Sequence, residues 1–269
     1  MARLAGKKAI VVGAGQTAGA DLGGETIGNG RAMAILFARE GAEVLCVDNR
    51  LDSAIETVAM ITKEGGKASA FAADVTKWAE CASIATEAKT RMGRIDILVN
   101  NVGTGRGDAP PHGIEEEHWD RIMGINLKSM TATIRHVLPV MREQKSGAIL
   151  NISSLAAIAG SHMVTYEVSK MAVNRLTTVV AVGNAKHGIR CNVIMPGLMD
   201  TPMAIGGISA ARGIDPEKLR SERSARVPMG HMGTGWDTAY AALFLCSEEA
   251  KFITGVALPV DGGMAVNIG

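Results

Sequence analysis

Aromatic side chains are scarce in this 269-residue chain, where Phe, Trp and Tyr together make up 3%. Too few rings are present to build a base-stacking surface for nucleic acid. An excess of one charge is also lacking: 28 Lys and Arg stand against 27 Asp and Glu, for a net charge of +1. Such a balance gives no field to draw a polyanion or an acidic lipid surface. No apolar run approaches the roughly 18 residues of a membrane span. The opening MARLAGKKAIVVGAG has too short an apolar core for a signal peptide and passes directly into a strand pattern, so the expected location is the cytoplasm. Cys46, Cys81, Cys191 and Cys246 lie far apart without a C-x-x-C pair, which reads as buried thiols in a reducing compartment. The six histidines form no H-E-x-x-H or related spacing, and no metal site is expected.

What the chain does have is apolar bulk, 47% hydrophobic residues with a mean hydropathy of +0.15. No linker or low-complexity tract divides it, so residues 1–269 read as one domain. Short β-branched runs at 8–12, 43–48, 67–74, 96–101, 147–153, 190–196 and 255–261 alternate with amphipathic segments at 31–40, 79–92 and 170–186. This alternation predicts right-handed βαβ crossovers: an α/β, Rossmann-type, doubly wound parallel sheet of about seven strands with helices on both faces. Residues 198–226 break the rhythm, mixing glycines, methionines and charges without a period. An insertion after a strand's carboxyl end sits where such sheets bind ligands, so the segment reads as a mobile substrate lid or as a variable surface excursion.

The first strand runs into two separated glycine pairs, Gly13/Gly15 and Gly28/Gly30. A strand, a glycine turn and a helix form a phosphate site, because glycine admits a pyrophosphate close to the backbone and the helix start favours negative charge. The dinucleotide fingerprint places an acidic residue about 20 positions beyond the glycines, at the end of the next strand. Asp48 lies 18 positions after Gly30 but 35 after Gly13. Gly28, Asn29 and Gly30 are therefore expected at the helix entrance, with Arg31 beginning the helix and Gly13 closing the strand. Residues 16–26 read as an insertion, lying across a cofactor or projecting into solvent. A carboxylate at Asp48 accepts hydrogen bonds from the adenosine ribose hydroxyls and repels a 2′-phosphate, so NAD is favoured over NADP. Arg50, two residues on, is the group that could tolerate the phosphate.

YEVSK at 166–170 puts Tyr166 and Lys170 four apart on one helix face, after a strand ending NISS at 151–154. In that order, below a dinucleotide turn, the chain resembles the short-chain dehydrogenase/reductase family from about residue 4 to 265. The marks continue through ADV (73–75), NNVG (100–103), INL (125–127), MPGLMDTPM (195–203) and PVDGG (259–263). The resemblance implies a catalytic set of Asn126, Ser154, Tyr166 and Lys170. Tyr166 would be the acid/base, its phenol brought toward the working range by the charges of Lys170 and of oxidised nicotinamide. Lys170 would also bond the nicotinamide ribose, Ser154 would polarise the substrate oxygen, and Asn126 would anchor a water. Asp74 and Val75 would contact adenine, Asn101 and Gly103 would wall the adenosine ribose, and Pro196, Gly197 and Thr201 would hold the carboxamide.

Three departures stand out. The first-to-second glycine gap is 15 positions where the family has four, and Val12 replaces the usual Thr. NNVG replaces N-N-A-G. The family's Ser-to-Tyr spacing of 13 fits Ser153, whereas the strand end favours Ser154 with a loop one residue shorter.

The expected cleft residues Leu155, Ile158, His162, Met163, Leu198, Met199, Met203 and Ile205 are mostly apolar, which suits a secondary alcohol or ketone with hydrophobic, cyclic or aromatic flanks. Arg106 and His162 read as solvated rim residues or as groups that recognise a substrate carboxylate. The family also implies a homotetramer built partly on the 236–263 region. Two rival readings are an NADPH-dependent 3-oxoacyl-[acyl-carrier-protein] reductase and a non-catalytic dinucleotide sensor.

Overall fold

The computed structural model describes residues 2–16, 26–160 and 162–267. Most of the 16–26 insertion, residues 17–25, lies outside the described residues. Seven parallel strands form the main sheet: β1 (Lys8–Val12), β2 (Glu43–Asp48), β3 (Lys67–Ala72), β4 (Ile97–Asn100), β5 (Gly147–Ile152), β6 (Ile189–Pro196) and, last in the chain, β9 (Ala257–Val260). Their spatial order is β3-β2-β1-β4-β5-β6-β9, with every pairing parallel. The order reverses between β1 and β4, and a crevice opens there at the carboxyl ends of the strands.

Alternate residues of each strand feed two hydrophobic layers, as the two-residue side-chain period requires. Ala9, Val11, Val44, Cys46, Val99 and Leu150 pack under α1 (Asn29–Arg39), α2 (Leu51–Lys63) and α9 (Gly235–Cys246). Ile10, Val12, Leu45, Val47, Leu98 and Ile149 pack under α3 (Trp78–Met92), α5 (Ser129–Gln144) and α6 (Val164–Asn184). Central strands buried on both faces read as continuous β-branched runs, which is why the sequence marks them well. Edge strand β3 is only half-buried and stops at Ala72, two residues short of the expected end. Helix α1 starts at Asn29, two residues before Arg31, with Gly28 as its N-cap. Arg31 turns away from the helix entrance; it is buried against α2, donating to Thr57 Oγ1 at 3.0 Å and Glu56 Oε2 at 2.8 Å.

The 198–226 segment is more regular than expected. It holds a short strand, β7 (Met199–Asp200), paired with β8 (Gly233–Thr234), and two short helices, α7 (Gly206–Arg212) and α8 (Pro216–Ser224). Ile205, Leu219 and Met232 form its own small core. Arg220 fastens α8 to Asp200 at 2.9 Å and reaches Thr26 Oγ1 at 3.4 Å.

All four thiols are buried, and burial pushes Cys46, Cys191 and Cys246 up to about 12 and Cys81 to about 11. Among the described residues no helix is long and apolar enough to cross a membrane, and no cluster could hold a metal ion.

A buried polar chain crosses the sheet. Thr133 donates to Asn100 Oδ1 at 2.7 Å, Asn100 to Asn151 Oδ1 at 2.9 Å, and Asn151 to Thr177 Oγ1 at 2.9 Å, linking α5, β4, β5 and α6. Replacing Asn100 with Ala strands the Asn151 oxygen and is expected to lower stability by about 1–3 kcal/mol, measured by urea unfolding.

Candidate active site

The nucleotide end of the crevice is built where β1 and α1 meet. Gly13 has φ +82°, a conformation that favours glycine, and its carbonyl accepts from Asn101 Nδ2 at 3.0 Å. A Cβ on Gly30 would collide with that same carbonyl oxygen. Gly13 and Gly30 are therefore pressed together despite the long sequence gap. Gly28 is different: its missing side chain would find contacts only at 3.9 Å and beyond. The first turn of α1 has no side-chain cap and no acidic residue. Its N–H groups suit the oxyanions of a diphosphate, and Gly28 leaves the space for one.

Asp48 ends β2 beside this turn. Its carboxylate accepts from Gly15 N–H and Arg50 N–H, each at 3.0 Å, which leaves lone pairs on both oxygens for ribose hydroxyls. The Arg50 guanidinium reaches the Gln16 carbonyl at 3.3 Å. Asp74 follows β3 and accepts from Thr76 N–H at 3.0 Å and its hydroxyl at 2.7 Å; the latter bond is the main cause holding its carboxyl below the usual range. Val75 is buried next to it. Pro196 ends β6, Gly197 N–H donates to Val260 at 3.0 Å, and buried Thr201 caps the turn that follows, accepting from Ala204 N–H at 3.3 Å. These groups rim the crevice at successive strand ends and fit a dinucleotide.

The expected catalytic residues lie on α6 and at the end of β5. Lys170 is 2% exposed, and its ammonium donates to the Ile152 carbonyl at 3.0 Å. Burial pushes it down to about 8. Nζ sits 5.6 Å from the Tyr166 ring centroid. Burial also raises the half-buried Tyr166 phenol above its ordinary value, while a side-chain hydrogen bond with Ser154 pulls it the other way. The expected lowering by Lys170 is not among the causes acting on the phenol in the protein alone; desolvation, which makes a phenolate costly, sets the direction.

The two serines separate clearly. Ser154 caps a short turn, accepting from Ala156 N–H at 3.1 Å, and meets Tyr166. Ser153 is buried and donates to the Lys170 carbonyl at 2.8 Å. Asn126 is fully buried in a π-helical turn, Gly124–Lys128, that joins α4 (Glu116–Met123) to α5. Its amide donates to the Thr104 carbonyl and Ser169 Oγ, both at 2.9 Å, and its oxygen accepts from Thr104 N–H at 2.8 Å. Ser169 in turn donates to the Tyr166 carbonyl at 2.7 Å. A Cβ on Gly103 would stand 2.8 Å from Lys170 Nζ.

Thr104 and Ser169 went unmarked in the sequence, where only the place of Ser169 inside the Y-x-x-x-K run could have drawn attention. Among the expected cleft residues, Ile158, Met163 and Met203 are exposed, as are Arg106 and His162. Met199 and Ile205 are buried, Ile205 in the small core of the 198–226 segment, so neither is free to line a cleft.

A family model described as enoyl-(acyl carrier protein) reductase matches residues 24–265. The 3-oxoacyl-[acyl-carrier-protein] reductase FabG of Thermotoga maritima is 33% identical over 98% of this chain and 100% of its own length. The 3beta-hydroxysteroid dehydrogenase 1 of Eggerthella lenta is 38% identical over 91% of this chain and 95% of its own. A solved 7 alpha-hydroxysteroid dehydrogenase, complexed with NADH and 7-oxo glycochenodeoxycholic acid, superposes with a TM-score of 0.85 at 34% identity, covering 97% of this chain and 95% of that one.

The burial of Lys170 sets a pH dependence. Its folded value, about 8, lies below the ordinary 10.5. Between those values the unfolded chain binds more protons, so this group makes stability rise with pH across the window. The wild-type stability curve, less that of Lys170→Met, should climb by about 2–3 kcal/mol from pH ~7.5 to ~10 in denaturant titrations. A flat difference would contradict a desolvated ammonium.

Proposed function

The chain belongs to the short-chain dehydrogenase/reductase family and is an oxidoreductase acting on CH–OH groups, and from that premise we propose that it moves hydride between NAD(H) and a hydrophobic, cyclic or aromatic secondary alcohol or ketone. One arrangement carries this reading: Tyr166 and Lys170 a turn apart on α6, with Ser154 at the phenol, at the carboxyl edge of the sheet. Nicotinamide, when bound, supplies the carbon that takes or gives hydride and, when oxidised, a second positive charge. Tyr166 exchanges the proton at its phenol oxygen with the substrate oxygen, which Ser154 Oγ holds in place. Lys170 keeps a positive charge beside the phenol and hands protons onward. Asn126 has both amide hydrogens committed, so the water it anchors would sit on its main-chain carbonyl.

Asp48 supports NAD as the cofactor, with Gly13, Gly28, Asn29 and Gly30 around the diphosphate, Asp74 and Val75 at adenine, Asn101 and Gly103 at the ribose, and Pro196, Gly197 and Thr201 at the carboxamide. The 198–226 segment serves as the substrate lid. A homotetramer is supported by exposed apolar side chains: Val168, Met171, Val179 and Val182 in one stripe of α6, and Tyr240 and Phe252 in the 236–263 region. Buried thiols suit the cytoplasm.

The relation to FabG favours one rival, a 3-oxoacyl-[acyl-carrier-protein] reductase using NADPH. The ratio of kcat/KM with NAD and NADP separates the two, and Asp48→Ala should shift that ratio toward NADP; an unchanged ratio would remove Asp48 from cofactor choice. The acid/base assignment is tested with a panel of cyclohexanol, 1-indanol and a hydroxysteroid, followed by nicotinamide absorbance. Tyr166→Phe should lower kcat by about 10²–10⁴-fold while leaving NAD affinity intact. Near-normal turnover in that variant would sink the assignment, and NAD binding without turnover of any alcohol by the wild type would favour the sensor reading.

A further inference from the structure

The first turn of α6 is held by a carboxylate from a distant loop. Its leading N–H groups can be accounted for one by one. Met163 N–H donates to Glu167 Oε1 at 3.1 Å, and Val164 N–H to the Ala109 carbonyl at 3.3 Å. Thr165 N–H donates to Asp108 Oδ1 at 3.2 Å, and Tyr166 N–H to Asp108 Oδ2 at 2.6 Å. Helices usually take such a cap from the residue beside the first turn; here it comes from 58 positions upstream. Oδ1 also accepts from Ala109 N–H at 2.9 Å, so both carboxylate oxygens are fixed.

The loop that carries Asp108 runs along the reacting groups. Gly103 leaves room for Lys170 Nζ, and Thr104 is bonded through both its N–H and its carbonyl to Asn126. A Cβ on Gly105 would collide with Met163 Cε and stand 3.3 Å from the Tyr166 ring. The segment is thus pinned at Asn126 and again at the start of α6, with the tyrosine ring between.

We propose that Asp108 is a positioning residue for the reaction: by clamping the Tyr166 N–H it fixes the first turn of α6 and, with it, where the phenol stands relative to Lys170 and Ser154. This rests on Tyr166 as the acid/base. A carboxylate suits the task because it accepts from two N–H groups at once, with the charge-assisted strength that a hydroxyl cap lacks. Asn at the same place would keep one acceptor and turn an NH₂ group toward the other N–H.

Glu167 provides the comparison that separates positioning from stability. It caps the same helix end through His162 N–H at 3.0 Å and Met163 N–H, but takes no bond from the Tyr166 N–H. The experiment measures kcat, KM for NAD and thermal midpoint for Asp108→Ala, Asp108→Asn and Glu167→Ala, using whichever of cyclohexanol, 1-indanol or the hydroxysteroid the wild type oxidises fastest. Asp108→Ala should lose about 10–100-fold in kcat, the scale of a reacting group displaced by up to an ångström, with KM for NAD within about twofold. Asp108→Asn should fall between, and it replaces the alanine variant if that one does not fold. Glu167→Ala should lower the midpoint comparably yet keep kcat within about threefold. Unchanged kcat in Asp108→Ala, or equal losses in the Asp108 and Glu167 variants, would overturn the proposal. Tyr166→Phe is measured alongside: if it is inactive while Asp108→Ala is normal, the positioning role alone fails, and if it is active, the acid/base reading fails and takes the positioning role with it.

Discussion

A lysine ammonium taken almost wholly out of water sets the terms for everything around it. Nζ of Lys170 has three donors, and among the described residues one oxygen accepts from it, the carbonyl that ends β5 at Ile152. An unneutralised charge in such a place is costly, and its surroundings are arranged around it rather than chosen freely. Gly103 carries no side chain where Nζ passes. Ser153 ties the Lys170 main chain to β5, and Ser169, bonded to Asn126 and to the Tyr166 carbonyl, steadies the turn between tyrosine and lysine. The buried charge thus comes with a close-fitting cage, and fixed geometry is what the proposed acid/base pair needs.

A second constraint holds the other end of the crevice. Gly30 meets the Gly13 carbonyl so closely that it has no space for a side chain, although an insertion separates the two in sequence. Closing a longer loop costs little extra free energy, since the entropy grows only with the logarithm of its length. The turn can accept the added residues because its contact point is preserved. Asp48 sits against the same turn through Gly15, so the residue proposed to face the ribose also braces the segment that follows β1.

The sequence was legible where burial imposes a strong pattern. Strands covered on both faces leave unbroken β-branched runs, and β1 and β2 fall at the expected bounds. Tyr166 and Lys170 were legible because their spacing is one helical turn. Legibility failed where a partner lies far along the chain. Asp108 looks like an ordinary loop acid until α6 arrives beside it, and Asn126 reveals its bonds to Thr104 and Ser169 only in three dimensions. Helices α7 and α8 were missed because segments of 7 and 9 residues are too short to be stable alone; Leu219 and Ile205 stabilise them by packing. The phenol was the subtler case: the charge beside it was visible in sequence, whereas the burial that opposes it was not.

That opposition makes the titration of Tyr166 the most direct test. The chain has two tyrosines, Tyr166 and Tyr240, so a Tyr240→Phe background leaves one phenol to follow by its phenolate absorbance. With saturating NAD, Tyr166 should ionise well below the ordinary phenol value of about 10, and adding Lys170→Met should move that titration upward by at least about one pH unit. A phenol that ionises at or above its ordinary value, unmoved by loss of the lysine, would contradict the pairing on which the account is built.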